Sequence, residues 1–367
     1  MSTVQQRFEH YLRKAQGGVD ILRQAERPSA LPYYLVIGAT TACPLHCIMC
    51  SRDAVINQTN RMRLATFQRL LDEIRPIRVH IGDLGESLID PDLAGKICEA
   101  KSRSINISLV SSYTVSRFTP ETLINTGLDT FIISLDGATA TTHNAIRGQS
   151  YFETTTSHIR AFVATRHQMK QTTPRLTLQF IIQKANYREI AAFIDLAANI
   201  GVEAVDYYPV QLTVALDRHD LLVGDMSVEE TAGQLHQAAQ KARWAGIQTN
   251  GALWTEARLQ PYWQIYDGGQ ATPTQLQHCA YPWYSTYIAA DGGVYGCCYH
   301  RYHDAAVLGN IYEADFATIW QGAAYRHFRA EMASGRSPFP ACYACTPYPL
   351  ADKLPGNWLK KAAEAIG

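Results

Sequence analysis

Short apolar runs alternate with longer amphipathic stretches along most of the chain. Six apolar runs between residues 33 and 210 predict strands, and the stretches between them have the periodicity of helices. The predicted strands are 33–38, 77–82, 105–110, 130–135, 176–182 and 202–210, and the predicted helices are 64–75, 91–103, 119–126, 153–170 and 187–200. This alternation predicts an α/β fold whose parallel sheet is curled by right-handed crossovers into a partial (β/α)6 TIM-like barrel.

The pattern changes on both sides of this βα region. Residues 5–24 predict an amphipathic helix interrupted at Gly17-Gly18, and residues 227–245 predict one further helix. The polar stretch 255–275 predicts a linker, and Asp291-Gly292 predicts the turn of a hairpin. The expected domains are a helical extension (1–32), the barrel (33–215), a helix and linker (216–275), a small cysteine-ligated module (276–349) and a tail (350–367).

Composition and charge narrow the functional class. The chain has 47% hydrophobic residues, and its 33 Lys+Arg balance 33 Asp+Glu, which favours a globular enzyme and predicts no nucleic-acid partner. No apolar run reaches ~18 residues and the first residues lack a signal-peptide core, so we expect a cytoplasmic protein with no membrane span. Nine cysteines in such a chain indicate metal ligands or redox groups rather than disulfides.

Three of the cysteines lie in one short loop after the first predicted strand, in the sequence Cys43-Pro-Leu-His-Cys47-Ile-Met-Cys50. Thiolates select zinc or iron–sulfur clusters over hard cations. A structural zinc site needs four ligands, and His46 is the residue that would supply the fourth, so a zinc-binding βα protein without radical chemistry is one alternative. A [4Fe–4S] cluster with only three protein ligands would leave one iron open to bind a further molecule.

The spacing CxxxCxxC at this position resembles that of the radical S-adenosylmethionine (SAM) superfamily, although Met49 stands where the family usually has an aromatic residue. In that family the open iron of a [4Fe–4S] cluster binds SAM. An electron from the cluster cleaves SAM to a 5′-deoxyadenosyl radical, which removes a hydrogen atom from the substrate. The resemblance implies that Cys43, Cys47 and Cys50 hold this cluster.

Further family motifs follow in the expected order, each after a predicted strand. Gly85-Glu86 resembles the GGEP element, Ser112 stands in the place of a T-N-G element, and the SLDG sequence that begins at Ser134 matches S-x-D-G. Arg147 follows at the usual spacing, and its planar guanidinium suits a carboxylate. The resemblance implies that Glu86 accepts from the SAM ammonium and that Arg147 pairs with the SAM carboxylate. The implied SAM contacts are Gly85, Glu86, Ser112, Ser134 and Arg147.

Four more cysteines form a second set near the C-terminal end: Cys279, Cys297, Cys342 and Cys345. Four thiolates suit either zinc or a fully ligated [4Fe–4S] cluster. Their spacing resembles the SPASM module of radical SAM enzymes, in the shortened form called twitch, and most of all that of 2-deoxy-scyllo-inosamine dehydrogenase. The resemblance implies one auxiliary [4Fe–4S] cluster, which would transfer electrons because it has no open iron.

The two remaining cysteines have separate interpretations. We expect Cys98 to face the core from a barrel helix, because thiols without a metal or disulfide are among the most buried side chains. We expect Cys298 to fill space in the core of the hairpin. The alternative for Cys298 is a hydrogen-atom donor of the kind that radical SAM epimerases use.

The sequence therefore predicts a radical SAM enzyme of oxidoreductase type, with no catalytic base assigned. The main expectation is dehydrogenation or epimerisation of a small polar metabolite of the sugar or cyclitol type. The alternative is a ribosomal peptide maturase that makes a crosslink or an epimerised residue. Only 42 residues precede Cys43, too few for the winged-helix leader-binding domain of many peptide maturases, although a separate protein could supply it. We expect flavodoxin or ferredoxin as the electron donor.

Overall fold

The computed structural model describes residues 3–82, 84–210, 218–221, 226–266, 279–302 and 307–336. Cys342, Cys345 and the expected tail 350–367 lie outside the described residues. The strands are β1 (Tyr34–Ile37), β2 (Arg78–Ile81), β3 (Asn106–Ser111), β4 (Thr130–Ser134), β5 (Arg175–Ile182), β6 (Ala204–Pro209), β7 (Gln248–Thr249), β8 (Ser285–Ile288), β9 (Gly293–Tyr295) and β10 (Gly309–Asn310). The helices are α1 (Thr3–Leu22), α2 (Arg52–Val55), α3 (Leu64–Ile74), α4 (Leu93–Ser102), α5 (Pro120–Asn125), α6 (Ala140–Arg147), α7 (Phe152–Gln168), α8 (Ile190–Ile200), α9 (Val228–Ala245), α10 (Glu256–Tyr266), α11 (Tyr281–Tyr284), α12 (Phe316–Gln321) and α13 (Ala323–Ala333).

The strands form one ten-stranded sheet in the order β10-β9-β8-β1-β2-β3-β4-β5-β6-β7. Strands β1 to β7 run parallel, as βα crossovers require, and β8 adds to the free edge of β1 in the same direction. Strands β8 and β9 are antiparallel and form the predicted hairpin, with Gly292 at φ +87° in its turn. The predicted α/β fold is confirmed, and the C-terminal hairpin continues the barrel sheet.

The two faces of the sheet have different surroundings. The ring of Phe131 lies 5.6 Å from that of Phe162 on α7, and Phe180 lies 4.8 Å from Phe193 on α8, so these strand residues face the helices. Side chains alternate along a strand, so their neighbours face the other way. We call this helix-free side the inner face. Half-buried inner-face residues on six strands are Tyr34, His80, Val110, Ser134, Gln179 and Asp206.

The structure corrects three expectations. Helix α1 continues through Gly17-Gly18, and a side chain at Gly17 would come within 3.1 Å of the Tyr33 ring, so the glycine permits close packing. Part of the expected linker is helix α10, which buries Trp263. The Cys98 side chain is exposed, because the buried positions of α4 are its helical neighbours. Within the described ranges, none of the helices is long and apolar enough to cross a membrane.

Candidate active site

The first cysteine loop joins β1 to α2 and packs against the end of α6. The three thiols are half-buried, and the Cys50 N–H donates to the Cys47 carbonyl at 3.0 Å. The backbone of Ile48 donates to Ile146 at 3.0 Å, which ties the loop to α6. Gly148 ends α6 at φ +84°, and a side chain there would lie 2.8 Å from the His46 carbonyl. This glycine therefore permits the contact between the helix end and the cysteine loop.

The residues of this loop fit an iron–sulfur cluster better than a zinc site in which His46 is the fourth ligand. The His46 side chain is 68% exposed, and its Nδ1 lies 3.0 Å from the Asp53 carboxylate. Among the residues that the structure describes, no three His, Cys, Asp or Glu side chains are arranged to hold a single metal ion. One zinc ion would gather its thiolates at about 2.3 Å from itself, whereas the thiolates of a cubane each bind a different iron.

Glu86 joins the loops that follow β2 and β3. Its carboxylate is buried, and Oε1 accepts from the Ser111 hydroxyl at 2.6 Å and from the Leu88 N–H at 3.0 Å. Its Oε2 accepts from the Ser112 hydroxyl at 2.5 Å and from the Ser112 N–H at 2.9 Å. A carboxylate has about four lone-pair positions, so donors of the chain itself use all of them. The predicted contacts of Glu86 and Ser112 with SAM stay predictions, and the structure brings the two residues together.

Gly85 approaches another part of the chain rather than open space. A side chain at Gly85 would lie 1.9 Å from the Thr40 carbonyl and 3.0 Å from the Ala42 carbonyl, just before the first cysteine. The Glu86 N–H donates to the same Ala42 carbonyl at 2.8 Å. The glycine thus allows the loop after β2 to lie against the backbone that leads into the cysteine loop.

Arg147 lies between the cysteine loop and the end of β4. Its guanidinium is 2.5 Å from the Asp136 carboxylate and donates to the Cys47 sulfur at 3.7 Å. Burial lowers the pKa of Arg147, but the charges of Asp136 and Cys47 and the hydrogen bonds to them together outweigh burial, so the pKa lies above the ordinary value. The second Asp136 oxygen accepts from the Ile181 N–H at 2.8 Å. A permanent positive charge is therefore held next to Cys47.

Several buried polar atoms near this pair have no hydrogen-bond partner among the described residues. They are Nε of Arg147, Nε2 of His143 and both side-chain polar atoms of Gln183, which follows β5. His143 Nδ1 accepts from the Asp136 N–H at 3.2 Å, so Nε2 carries the hydrogen of the neutral ring. Burial lowers the pKa of His143 to about 3. Unsatisfied buried groups are costly, and their concentration here fits a site that a polar ligand completes.

Ser134 is half-buried on the inner face at the end of β4, and strand pairing sets its neighbour Ile133 beside Ser111 of β3. Two polar residues of this region were missing from the predicted contacts. The S-x-D-G motif contains Asp136, and its aspartate was the available signal. Gln183 belongs to no motif, and only its burial without a partner in the described part of the chain draws attention to it.

The second cysteine set is partly described. Cys279 precedes α11 and Cys297 follows β9, and both are half-buried. Cys298 is exposed, with its sulfur 4.0 Å from that of Cys297, so the expectation that it fills the hairpin core is wrong. The strand ends at Tyr295 and a 3-10 turn begins at Cys298, so strand alternation does not apply. Burial raises the pKa of Tyr34 to about 12, and both cysteines are close enough to add to that rise.

Comparison with known proteins agrees with these observations. Residues 279–346 match the model of the SPASM family, described as an iron-sulfur cluster-binding domain. The chain is 20% identical, over 85% of its length and 87% of the relative, to a tungsten-containing aldehyde ferredoxin oxidoreductase cofactor-modifying protein of Pyrococcus furiosus. It is 22% identical to the mycofactocin maturase MftC of Mycobacterium tuberculosis, over 89% of this chain and 79% of that protein.

Solved structures share the fold. Streptococcus suis SuiB bound to S-adenosylmethionine superposes with a TM-score of 0.66 at 14% identity, covering 92% of this chain and 77% of SuiB. Native anSMEcpe with bound AdoMet superposes with a TM-score of 0.59 at 15% identity, covering 82% of this chain and 84% of anSMEcpe. Both proteins are also solved with peptides, SuiB with its precursor SuiA and anSMEcpe with the Cp18Cys peptide. This sheet, this cysteine loop and the SPASM iron–sulfur domain at residues 279–346 make the chain similar to radical SAM enzymes, which use SAM and [4Fe–4S] clusters as cofactors.

Proposed function

We propose that the chain is a radical SAM maturase that modifies a residue of a ribosomally made peptide. Similarity to a protein named a maturase, and to proteins solved with peptides, supports a peptide over the sugar or cyclitol expected from the cysteine spacing. The Pyrococcus relative is named for modifying a cofactor, so a small polar metabolite is the second candidate. The observation that carries the proposal is the buried Arg147 cation, which donates to the Cys47 sulfur and has buried polar atoms without partners in the described residues around it.

In this proposal, Cys43, Cys47 and Cys50 hold the [4Fe–4S] cluster to which SAM binds. Together the cluster and SAM supply a 5′-deoxyadenosyl radical that removes a hydrogen atom from the substrate. The chain contributes binding, orientation and exclusion of water. The cation of Arg147 lies against Cys47, where it offsets the negative charge that thiolate ligands bring to a buried site.

The proposed SAM contacts come from the carboxyl ends of four strands, β2 to β5. Glu86 fixes Ser111 and Ser112 against the loop that carries Gly85, so the carboxylate sets the shape of the site. Ser134 offers a hydroxyl from the end of β4, and the amide of Gln183 offers both a donor and an acceptor.

The C-terminal domain provides the second part of the proposal. Cys279, Cys297, Cys342 and Cys345 would hold one auxiliary [4Fe–4S] cluster and leave no open iron. Cys298 is exposed beside one of these ligands, so its thiol is accessible for donating a hydrogen atom to a substrate radical. Flavodoxin or ferredoxin would supply electrons in the reducing cytoplasm.

The test begins with protein purified without oxygen. Iron and sulfide are measured, and SAM is incubated with the protein and dithionite to detect 5′-deoxyadenosine. The protein is then co-expressed with each short reading frame that flanks its gene, and the peptides are analysed by mass spectrometry. The control is the same co-expression with a variant that has alanine at all three first-loop cysteines. A mass change that depends on these cysteines is expected. Colourless protein with zinc, or no peptide change beside a converted metabolite, contradicts the proposal.

A further inference from the structure

A row of three polar residues crosses the inner face next to the proposed SAM contacts. Strand pairing sets Ser134 of β4 beside Gln179 of β5, and Gln179 beside Asp206 of β6. All three side chains are half-buried on strands whose helix-facing residues are fully buried. The row therefore borders a space that solvent reaches.

Contacts of the neighbouring residues establish which way this row faces. The Tyr207 hydroxyl donates to the Ile190 carbonyl of α8 at 2.8 Å, and the ring of Phe180 lies against α8 as well. Residues next to one another on a strand point to opposite faces. Gln179 and Asp206 consequently face away from the helices, into the space enclosed by the curled sheet.

The Asp206 carboxylate makes no hydrogen bond or ion pair with any described residue, and it differs in this from the aspartates beside β4. Asp129 is bound by Lys101 at 2.8 Å, and Asp136 is bound by Arg147. Burial raises the pKa of Asp206, and the charge of Arg175 works against that rise. The amide of Gln179 also has no partner in the described part of the chain. Polar groups that are half-buried without partners are available to a ligand.

The spacing of the row sets the size of that ligand. Neighbouring strands lie about 4.8 Å apart, so the backbones at Ser134 and Asp206 are about 10 Å apart across β5. Ser134 is a proposed SAM contact, so a ligand on Gln179 and Asp206 would lie beside SAM. A ligand that spans this distance has about the length of one long amino-acid side chain together with part of its backbone.

We propose that Gln179 and Asp206 form a substrate-binding wall that takes a nitrogen-bearing side chain of the peptide, from lysine, arginine, asparagine or glutamine. An ionised carboxylate only accepts hydrogen bonds, so Asp206 selects an N–H donor, most strongly a cation. The Gln179 amide both donates and accepts, which suits a backbone amide or a side-chain amide beside it. This assignment rests on the peptide-maturase function and names the substrate class within it.

The test uses a random peptide library displayed on phage and the anaerobic holoprotein with SAM as bait. Wild-type protein should enrich peptides with nitrogen-bearing side chains, and Asp206→Asn should lower that enrichment about tenfold, the loss of one charge-assisted hydrogen bond. The matched control is Asp195→Asn, an exposed aspartate on α8 that binds Lys241 and should enrich the same peptides as wild type. Iron content and circular dichroism confirm that each variant is folded.

The outcomes separate this inference from the proposed function. Equal enrichment of the same peptides by wild type and Asp206→Asn overturns the inference and leaves the maturase function in place. Enrichment of no peptide by wild type also overturns it. In that case, a co-expressed peptide that still changes mass preserves the maturase function, and the absence of any such change removes both.

Discussion

The Glu86 carboxylate offers the sharpest test of how the SAM site is built. Replacement by glutamine keeps the size of the side chain but turns one of its two acceptor oxygens into an NH₂ donor. If that NH₂ takes the position of Oε2, it faces the Ser112 N–H, which cannot rotate away as a hydroxyl can. A buried donor left without an acceptor costs about 1–3 kcal/mol. We expect Glu86→Gln to lower the free energy of unfolding by that amount.

Replacement by alanine removes both acceptors. The N–H groups of Leu88 and Ser112 then lose their partners, so the expected loss is about 2–6 kcal/mol, less whatever water recovers in the space left behind. Ser111→Ala is the comparison variant: it leaves the carboxylate with three partners but also removes the acceptor of the Tyr113 N–H, so its expected cost is about 2–4 kcal/mol. Denaturant unfolding of the anaerobic holoprotein, followed by circular dichroism, measures all three variants.

SAM affinity then separates two roles for the carboxylate. If Glu86 accepts directly from the SAM ammonium, Glu86→Gln weakens SAM binding by about 1.5–3 kcal/mol, and Ser111→Ala leaves it nearly unchanged. If Glu86 acts by holding the serines after β3 in place, both variants weaken SAM binding. Equilibrium dialysis with labelled SAM provides the measurement. Full stability of Glu86→Ala together with unchanged SAM affinity would refute the four-bond network as a determinant of the site.

Four other predictions concern the clusters and the residues around them. Alanine at all three first-loop cysteines should remove about four of about eight irons per chain and abolish SAM cleavage, and an iron count near twelve in wild type would contradict a single auxiliary cluster. Asp136→Ala leaves the Arg147 cation buried without its partner, and denaturant unfolding should register a loss of about 3–5 kcal/mol. His143 is neutral when folded, so the unfolded chain binds more protons below pH 6.5. His143 alone should therefore lower the free energy of unfolding by about 1.4 kcal/mol between pH 7.5 and 5.5, and His143→Gln should remove that part of the fall and leave the part due to the buried His80. In deuterated water, deuterium at the reacting carbon of the product that disappears in Cys298→Ala would indicate epimerisation, and an unlabelled two-electron-oxidised product from both proteins would indicate dehydrogenation.

The sequence predicted the sheet well because its strands are buried on the helix side and bounded by clear helical patterns. All six predicted barrel strands and the five helices between them are present, with bounds that differ by a few residues. Errors occurred where tertiary contacts outweigh local signals. Gly17 continues a helix because it packs on Tyr33, and Trp263 stabilises a helix in a polar stretch by donating to the Met226 carbonyl at 3.0 Å.

The site was less predictable than the sheet. Family motifs drew attention to Glu86, Ser112 and Arg147, but not to which residues pair, because Ser111 meets Glu86 and Asp136 meets Arg147 only through the fold. Asp206 lies in an ordinary strand sequence, and nothing local indicates that it faces the enclosed space. Its importance depends on the register that sets it beside Gln179.

The path of the C-terminal hairpin bears on where a substrate must lie. Strand β8 runs parallel to β1, so β9 returns toward the amino end of β1, and Cys297 and Cys298 lie close enough to Tyr34 to affect its pKa. The first cysteine loop follows the carboxyl end of the same strand. Strand β1 has four residues, about 13 Å of extended chain. The first cysteine loop and the Cys297–Cys298 pair therefore lie toward opposite ends of β1, so a substrate that contacted both would have to extend over at least the length of this strand.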